Sequence, residues 1–131
     1  MLEARTIGMT IDKKSSEVHS FVREPMNLAA WAKSFCVSVA QKNEKWYVES
    51  GDGSACVQFT GDNSYGVLDF SLTLANGEEL YYPMRVVSYR DCCEVMLTLF
   101  RLPEVSEENF LLDGAMAASD LRQLKMTLES I

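Results

Sequence analysis

The stretch Ser106–Glu129 reads SEENFLLDGAMAASDLRQLKMTLE, and it decides how the rest of the chain is arranged. Ser106 is a good N-cap, because its hydroxyl can accept a free N–H of the first turn. Glu107 and Glu108 place negative charge at the positive end of the helix dipole. Phe110, Gly114, Ala117, Leu121, Leu124 and Leu128 recur at steps of three and four, which is one face of a helix. No proline interrupts the run. Roughly 24 residues at about 1.5 Å each give a rod of about 36 Å, long enough to cross a small domain. Whatever precedes the helix must wrap around it.

The stripe is small in its first half, with Gly114, Ala115, Ala117 and Ala118, and large in its second, with Leu121, Leu124 and Leu128. Two readings stay open. The small residues either allow close helix–sheet packing or leave a cavity between the helix and a curved sheet.

Upstream, Ala4 to Asp12 alternates Ile7, Met9 and Ile11 with Thr6, Gly8 and Thr10, a half-buried strand. Ser15 or Ser16 then caps a short helix with Val18, Phe21 and Val22 on its apolar face, and Pro25 stops it. Asn27 opens a second short helix through Leu28, Ala30 and Trp31. From Phe35 the period returns to two. Strands are expected around Phe35–Val39, Trp46–Val48, Ala55–Phe59, Gly66–Ala75, Glu79–Tyr89 and Cys93–Leu102. Turns fall at Asn43-Glu44, Gly51-Asp52-Gly53, Gly61-Asp62-Asn63, Asn76-Gly77 and Arg90–Cys92. The expected fold is α+β: a seven-stranded, curved antiparallel sheet around the C-terminal helix, with two short helices between strands 1 and 2.

The chain has 131 residues and reads as one domain, residues 1–131. Its net charge is −7, so a phosphate backbone is an unfavourable partner and no nucleic acid is expected. No apolar run reaches signal-peptide or membrane-span length, and a soluble, cytoplasmic protein is expected. Cys36, Cys56, Cys92 and Cys93 lack metal-ligand spacing and His19 is the only histidine. Reduced structural thiols, no metal and no cofactor are therefore expected.

The element order, with the local runs Gly66-Val67-Leu68-Asp69, Pro83-Met84-Arg85-Val86-Val87, Leu97-Thr98-Leu99-Phe100-Arg101 and Asp120-Leu121 with Leu124-Lys125, resembles the helix-grip fold of the SRPBCC superfamily. That superfamily includes START lipid-transfer domains, the birch pollen allergen group and polyketide cyclase/dehydrase proteins. The runs are similar to a bacterial subgroup of the last kind. Where such sequences carry histidine after the aspartate, this chain has Phe70, which removes an acid–base candidate. The resemblance implies a deep apolar cavity between sheet and helix, but it does not imply one activity.

A two-residue Asn76-Gly77 turn would set Ala75 opposite Glu78, Phe70 opposite Pro83 and Leu68 opposite Arg85. Leu68, Phe70, Leu72 and Leu74 would then share the cavity face with Tyr81, Pro83, Arg85 and Val87, and a tight second hairpin would add Met96, Thr98 and Phe100. Tyr81, Arg85 and Thr98 become the polar readers of the ligand. A slip of one residue instead pairs Arg85 with Asp69 on the outer face. The first register is favoured because Asn-Gly is the strongest short hairpin signal. An inward Arg85 needs an anionic partner, either Asp113 on the long helix or a ligand carboxylate or enolate.

Gly114 and Ala117 would face the ligand from the helix. Trp31 and Met26 flank a turn that in such folds closes one end of the barrel, so they are candidates to gate an entrance. Met84, Met96 and Met116 suit a pliable lining, though methionine as core filler is commoner. His19, among Ser16, Ser20 and Arg23, reads as a surface residue, and Asp120 as a cap for a loop.

The expected function is binding of a small apolar ligand, lipid-like or polyketide/aromatic. The alternatives are a polyketide cyclase/dehydrase-type enzyme, with Arg85 or Tyr81 stabilising an enolate, and a chaperone-activator-like interaction module. A homodimer is left open.

Overall fold

The computed structural model describes all 131 residues, Met1–Ile131. The chain runs β1 (Ala4–Ile11), α1 (Ser15–Val22), a 3-10 turn (Pro25–Asn27), α2 (Leu28–Trp31), β2 (Ser38–Lys42), β3 (Lys45–Ser50), β4 (Gly53–Phe59), β5 (Phe70–Leu74), β6 (Glu79–Tyr82), β7 (Met84–Tyr89), β8 (Cys92–Phe100) and α3 (Glu107–Glu129). All strand pairs are antiparallel. The long helix has the expected bounds, and the Ser106 side chain accepts the N–H of Asn109 at 3.1 Å. Its expected stripe, Phe110, Gly114, Ala117, Leu121, Leu124 and Leu128, is buried.

The expected seven-stranded sheet is corrected to eight strands in two sheets. One has the order β1-β8-β7 and the other β2-β3-β4-β5-β6. The split falls at Pro83, inside what reads as one strand from Glu79 to Tyr89. Proline brings no N–H to the ladder. The next N–H, that of Met84, is taken by the Asp69 carboxylate at 2.8 Å rather than by a strand carbonyl. Pairing resumes beyond the gap: Leu68 N–H bonds Met84 O, Val86 N–H bonds Gly66 O, and an isolated bridge joins Val67 to Arg85. The two sheets therefore continue one another across a break. Gly66 makes the close approach possible, since a Cβ there would lie 2.2 Å from the Val86 carbonyl oxygen.

The favoured hairpin register is also corrected. The Asn76-Gly77 loop holds three residues, not two. Leu74 N–H bonds Glu78 O at 2.8 Å, Gly77 N–H bonds Leu74 O, and Gly77 sits at φ +89°. This is a type I turn followed by a left-handed residue. Asn76 stays outside the left-handed region and its side chain accepts the Glu78 N–H at 2.9 Å. Phe70 consequently pairs with Tyr82, Ser71 with Tyr81 and Leu72 with Leu80. The two-residue turn with both central residues at positive φ occurs instead at Asn43-Glu44, between paired Lys42 and Lys45, with no glycine present.

Two local readings also change. Lys14, not Ser15 or Ser16, is the N-cap of α1, and no side chain bonds there. Asn27 precedes α2 but turns its amide back to Phe21 O at 3.0 Å.

The core is one cluster. Ile11, Val95, Leu97, Met84 and Val86 meet Val18, Val22, Leu121 and Leu124 under the three-stranded sheet, while Val48, Val57, Leu68, Phe70 and Leu72 line the inside of the other. All four cysteines are free thiols. No helix is long and apolar enough to cross a membrane.

Candidate ligand groove

The register fixes which side chains face inward. Val39, Val48, Ala55 and Leu74 form one inner row, Gln41, Trp46, Val57, Leu72 and Leu80 a second, and Phe59, Phe70 and Tyr82 a third. In the third row Phe70 is the centre of an aromatic cluster. Its ring centroid lies 5.0 Å from Tyr82, 5.2 Å from Phe59 and 6.0 Å from Phe35. Beyond this cluster, towards the tips of the β3–β4 and β5–β6 hairpins, the inner wall is only partly covered. A groove of about 500 Å³ opens there, walled by Phe35, Val48, Ala55, Leu72, Leu74 and Leu80 and ended by Tyr82. Leu74, Leu80 and Tyr82 stay only half-buried. The opening follows from where α3 packs, which is chiefly on β1 and α2.

Tyr82 stands at the inner end of the groove, and Asp113 is an exposed residue of α3. Burial, and secondarily the Asp113 carboxylate nearby, push the Tyr82 phenol up, and partial desolvation pushes Asp113 up as well. Neither side chain has a hydrogen-bond partner within the chain. Such a phenol stays protonated at neutral pH and is free to donate to a carbonyl or carboxylate.

The remaining expected site residues divide. Phe70 is inward and buried, though at the back of the groove within the aromatic cluster. Asp113 is exposed on α3 and does not line the groove, although its charge reaches Tyr82. Arg85, Tyr81, Met96, Thr98 and Phe100 do share a face, but it is the outer one, because β8 buries Val95, Leu97 and Leu99 instead. Arg85 forms an ion pair with Asp69, and Tyr81 donates to the other Asp69 oxygen at 2.5 Å. That bond, more than burial, raises the Tyr81 phenol. Thr98 shares a hydrogen bond with Thr6 at 2.8 Å. Phe100 is 45% exposed.

Trp31 is 1% exposed and belongs to the core, so it does not gate an entrance; Met26 is exposed. Of the methionines, Met84 is fully buried core and Met116 is exposed on α3. At Gly114 close packing holds, because the Arg5 side chain lies across the position a Cβ would take. Ala117 is buried.

His19 is buried rather than on the surface. Its Nε2 meets Val67 O at 3.2 Å and its Nδ1 lies 4.0 Å from Asp62. The carbonyl can only accept, so Nε2 carries the proton. His19 thus ties the Gly61–Val67 loop to α1. Asp120 holds the α2–β2 loop as read, accepting Ser34 N–H at 3.1 Å and the Ser34 hydroxyl.

Sequence reasoning missed Tyr82, Leu80 and Phe35. The alternation Leu80, Tyr82 was visible, but the one-residue hairpin error put that pair outside.

No protein-family model matches the sequence, and neither does any curated protein. Solved structures do match. The protein XoxI from Bacillus cereus is 16% identical at a TM-score of 0.72, covering 95% of this chain and 94% of that one. A START superfamily protein from Mycobacterium smegmatis is 13% identical at a TM-score of 0.67, covering 97% of each. The di-domain ARO/CYC BexL of the BE-7585A biosynthetic pathway is 15% identical at a TM-score of 0.76. There the match covers 97% of this chain and 46% of that one. The allergen Ara h 8.0201 superposes over the full length of both chains at a TM-score of 0.69 and 6% identity. The resemblance to the SRPBCC superfamily therefore stands at the level of fold.

Proposed function

We propose that the chain binds a small apolar molecule in the groove on the inner face of the five-stranded sheet. The observation that carries this reading is the groove lined by Val48, Ala55 and Leu72 at its buried floor and by the half-buried Leu74 and Leu80 at its mouth, closed at one end by Tyr82. Apolar side chains on a concave wall in contact with water favour an apolar occupant, at about 25 cal/mol per Å² removed from water. Likeness in fold to a START superfamily protein and to an aromatase/cyclase is compatible with that occupant. Tyr82 at the end of the groove favours a cyclase-type enzyme as the second reading, since a protonated phenol beside an apolar wall can stabilise an enolate.

The test is titration with the neutral fluorophore N-phenyl-1-naphthylamine against wild type and Ala55→Phe. Ala55 sits between Val48 and Leu74 on the inner wall. A phenyl group there should fill an open groove, abolishing binding while the melting temperature changes little. Unchanged binding, together with the roughly 1–3 kcal/mol cost of overpacking, would assign the region to the core.

A further inference from the structure

The outer face of α3 does not look like a helix side that meets only water. The inner side of the helix packs on β1 and α2. Asp120 and Lys125 mark its two flanks, where they bond Ser34 and Thr10 O. Between those flanks the solvent side carries Leu111, Leu112 and Met116, which are 54%, 56% and 39% exposed. Ala115 and Ser119 are exposed among them. From Asn109 to Leu121 the only charged residues are the buried Asp120 and, seven residues earlier on the same flank, Asp113. A solvated helix face is ordinarily polar or charged, so large apolar side chains over about three turns mark a surface that meets a partner.

Charge returns at both ends of this patch, with opposite sign. Glu108 and Arg122 are exposed and stand seven residues before and after Ala115, on the same side of the helix. Each therefore lies about 10.5 Å from Ala115 along the axis. Neither forms an ion pair within the chain, whose pairs are His19–Asp62, Arg85–Asp69, Arg101–Glu3 and Lys125–Glu129. A second copy of the same helix, crossing antiparallel at Ala115, meets this pattern. Its Arg122 falls beside Glu108 and its Glu108 beside Arg122. Leu111 and Leu112 fall against Ser119 and Ala118, large against small. A parallel pairing would instead set Glu108 on Glu108 and Arg122 on Arg122, which repel.

We propose that two copies of the chain associate through this face of α3, antiparallel about a two-fold axis at Ala115. The contact is isologous, because the same patch serves both copies. Ala115 and Ser119 at the crossing let the two backbones approach closely. The face is about 20 Å long and one helix wide, well short of the roughly 800 Å² per partner of a standard interface, so the dimer is weak and reversible.

The experiment is sedimentation equilibrium on the full chain, up to about 1 mM, where wild type should dimerise with a dissociation constant on the order of 100 μM. Ala115→Glu sets two like charges face to face at the axis and should leave only monomer. Glu108→Arg and Arg122→Glu should each weaken the dimer about tenfold, through like charges brought together. The double variant Glu108→Arg/Arg122→Glu should return to within about threefold of wild type, because each pair is restored with its signs exchanged. Glu107→Arg makes the same charge change one residue off the patch and should not weaken the dimer. All of these positions are exposed, and circular dichroism checks that each variant is folded. A wild type that stays monomeric would overturn the proposal and leave the face to a different protein. So would a dimer that Ala115→Glu does not disturb. A general effect of net charge would move the two single reversals in opposite directions, and that result, or a double variant weaker than either single one, would overturn the antiparallel pairing.

Discussion

Under the three-stranded sheet, Ile11, Met84, Cys93, Val95 and Leu97 are buried against helices, and hardly any of their surface meets water. Under the five-stranded sheet, Val48, Val57 and Leu72 are buried too, but Leu74, Leu80 and Tyr82 are not. The two sheets share one concave side and one long helix. They differ in what covers them, because α3 packs chiefly on β1 and α2 and not on the strands of the other sheet. One half of the fold is thus a packed core that supplies stability. The other keeps apolar wall in contact with solvent, a state that a binding site tolerates and a purely structural domain would be expected to close.

The largest effect that tests this contrast is a pair of truncations. Leu121 is fully buried in the closed half, so Leu121→Ala should cost about 2–5 kcal/mol through lost transfer energy and the cavity left behind. Leu80 borders the open groove, so Leu80→Ala should cost only about 1 kcal/mol, the share of a leucine's transfer energy that its half-burial secures. Denaturant unfolding of both variants measures the difference. Equal losses would mean that the groove half is packed as tightly as the core.

The closed half was legible in the sequence, and the open half only partly. Helix α3 announced itself through a capping serine, an acidic first turn and an uninterrupted stripe, and each of these is local. The eight strands were visible as seven because the Pro83 break depends on Asp69, fourteen residues upstream, taking the Met84 N–H. The groove face was misassigned through one loop: Asn76-Gly77 fits a two-residue turn, but three residues close it, and one step of register exchanges the faces. His19 was misplaced for a similar reason. Its partner Val67 is 48 positions away, and nothing near His19 in the chain points to it. The sequence carried whatever depended on neighbours along the chain; contacts across the fold decided the rest.

An intermediate effect concerns the tie between the two halves. Asp120 of α3 accepts two bonds from Ser34, at the foot of the loop leading into the five-stranded sheet. Asp120→Ala leaves both donors unpaired and should cost about 1–3 kcal/mol. Burial raises the Asp120 carboxyl above its usual value, with the Ser34 bonds opposing. The native state therefore binds this proton at a higher pH than the unfolded chain, whose value is about 3.9. Between those two values, lowering the pH stabilises wild type relative to Asp120→Asn; above the folded value the burial cost of the charge is fully present. Melts of both proteins between pH 7 and pH 4 measure this. A wild-type advantage that shrinks on acidification would contradict the burial of a charged carboxylate.

The smallest effect is at Gly114, where the helix meets β1 rather than the groove. Glycine inside a helix costs about 1 kcal/mol against alanine, through backbone entropy. Opposing that, a methyl group at this position would lie 2.8 Å from Arg5 Nη1, 3.2 Å from Cζ and 3.6 Å from Cδ. Arg5 faces inward opposite Leu99 at the exposed start of β1, and its side chain is held by no hydrogen bond or ion pair. The obstructing atoms are the far end of a flexible chain, so they can swing aside by a few tenths of an ångström. The entropy term wins, and Gly114→Ala should stabilise the protein by about 0.5–1 kcal/mol, with binding of N-phenyl-1-naphthylamine unchanged. Thermal or denaturant unfolding gives the sign. A destabilised variant would mean that Arg5 is fixed on the helix and that the closed half is tighter at this end than its exposure suggests. A stabilised variant that loses the probe would extend the groove along α3 to Gly114, and the two halves would no longer divide at the helix.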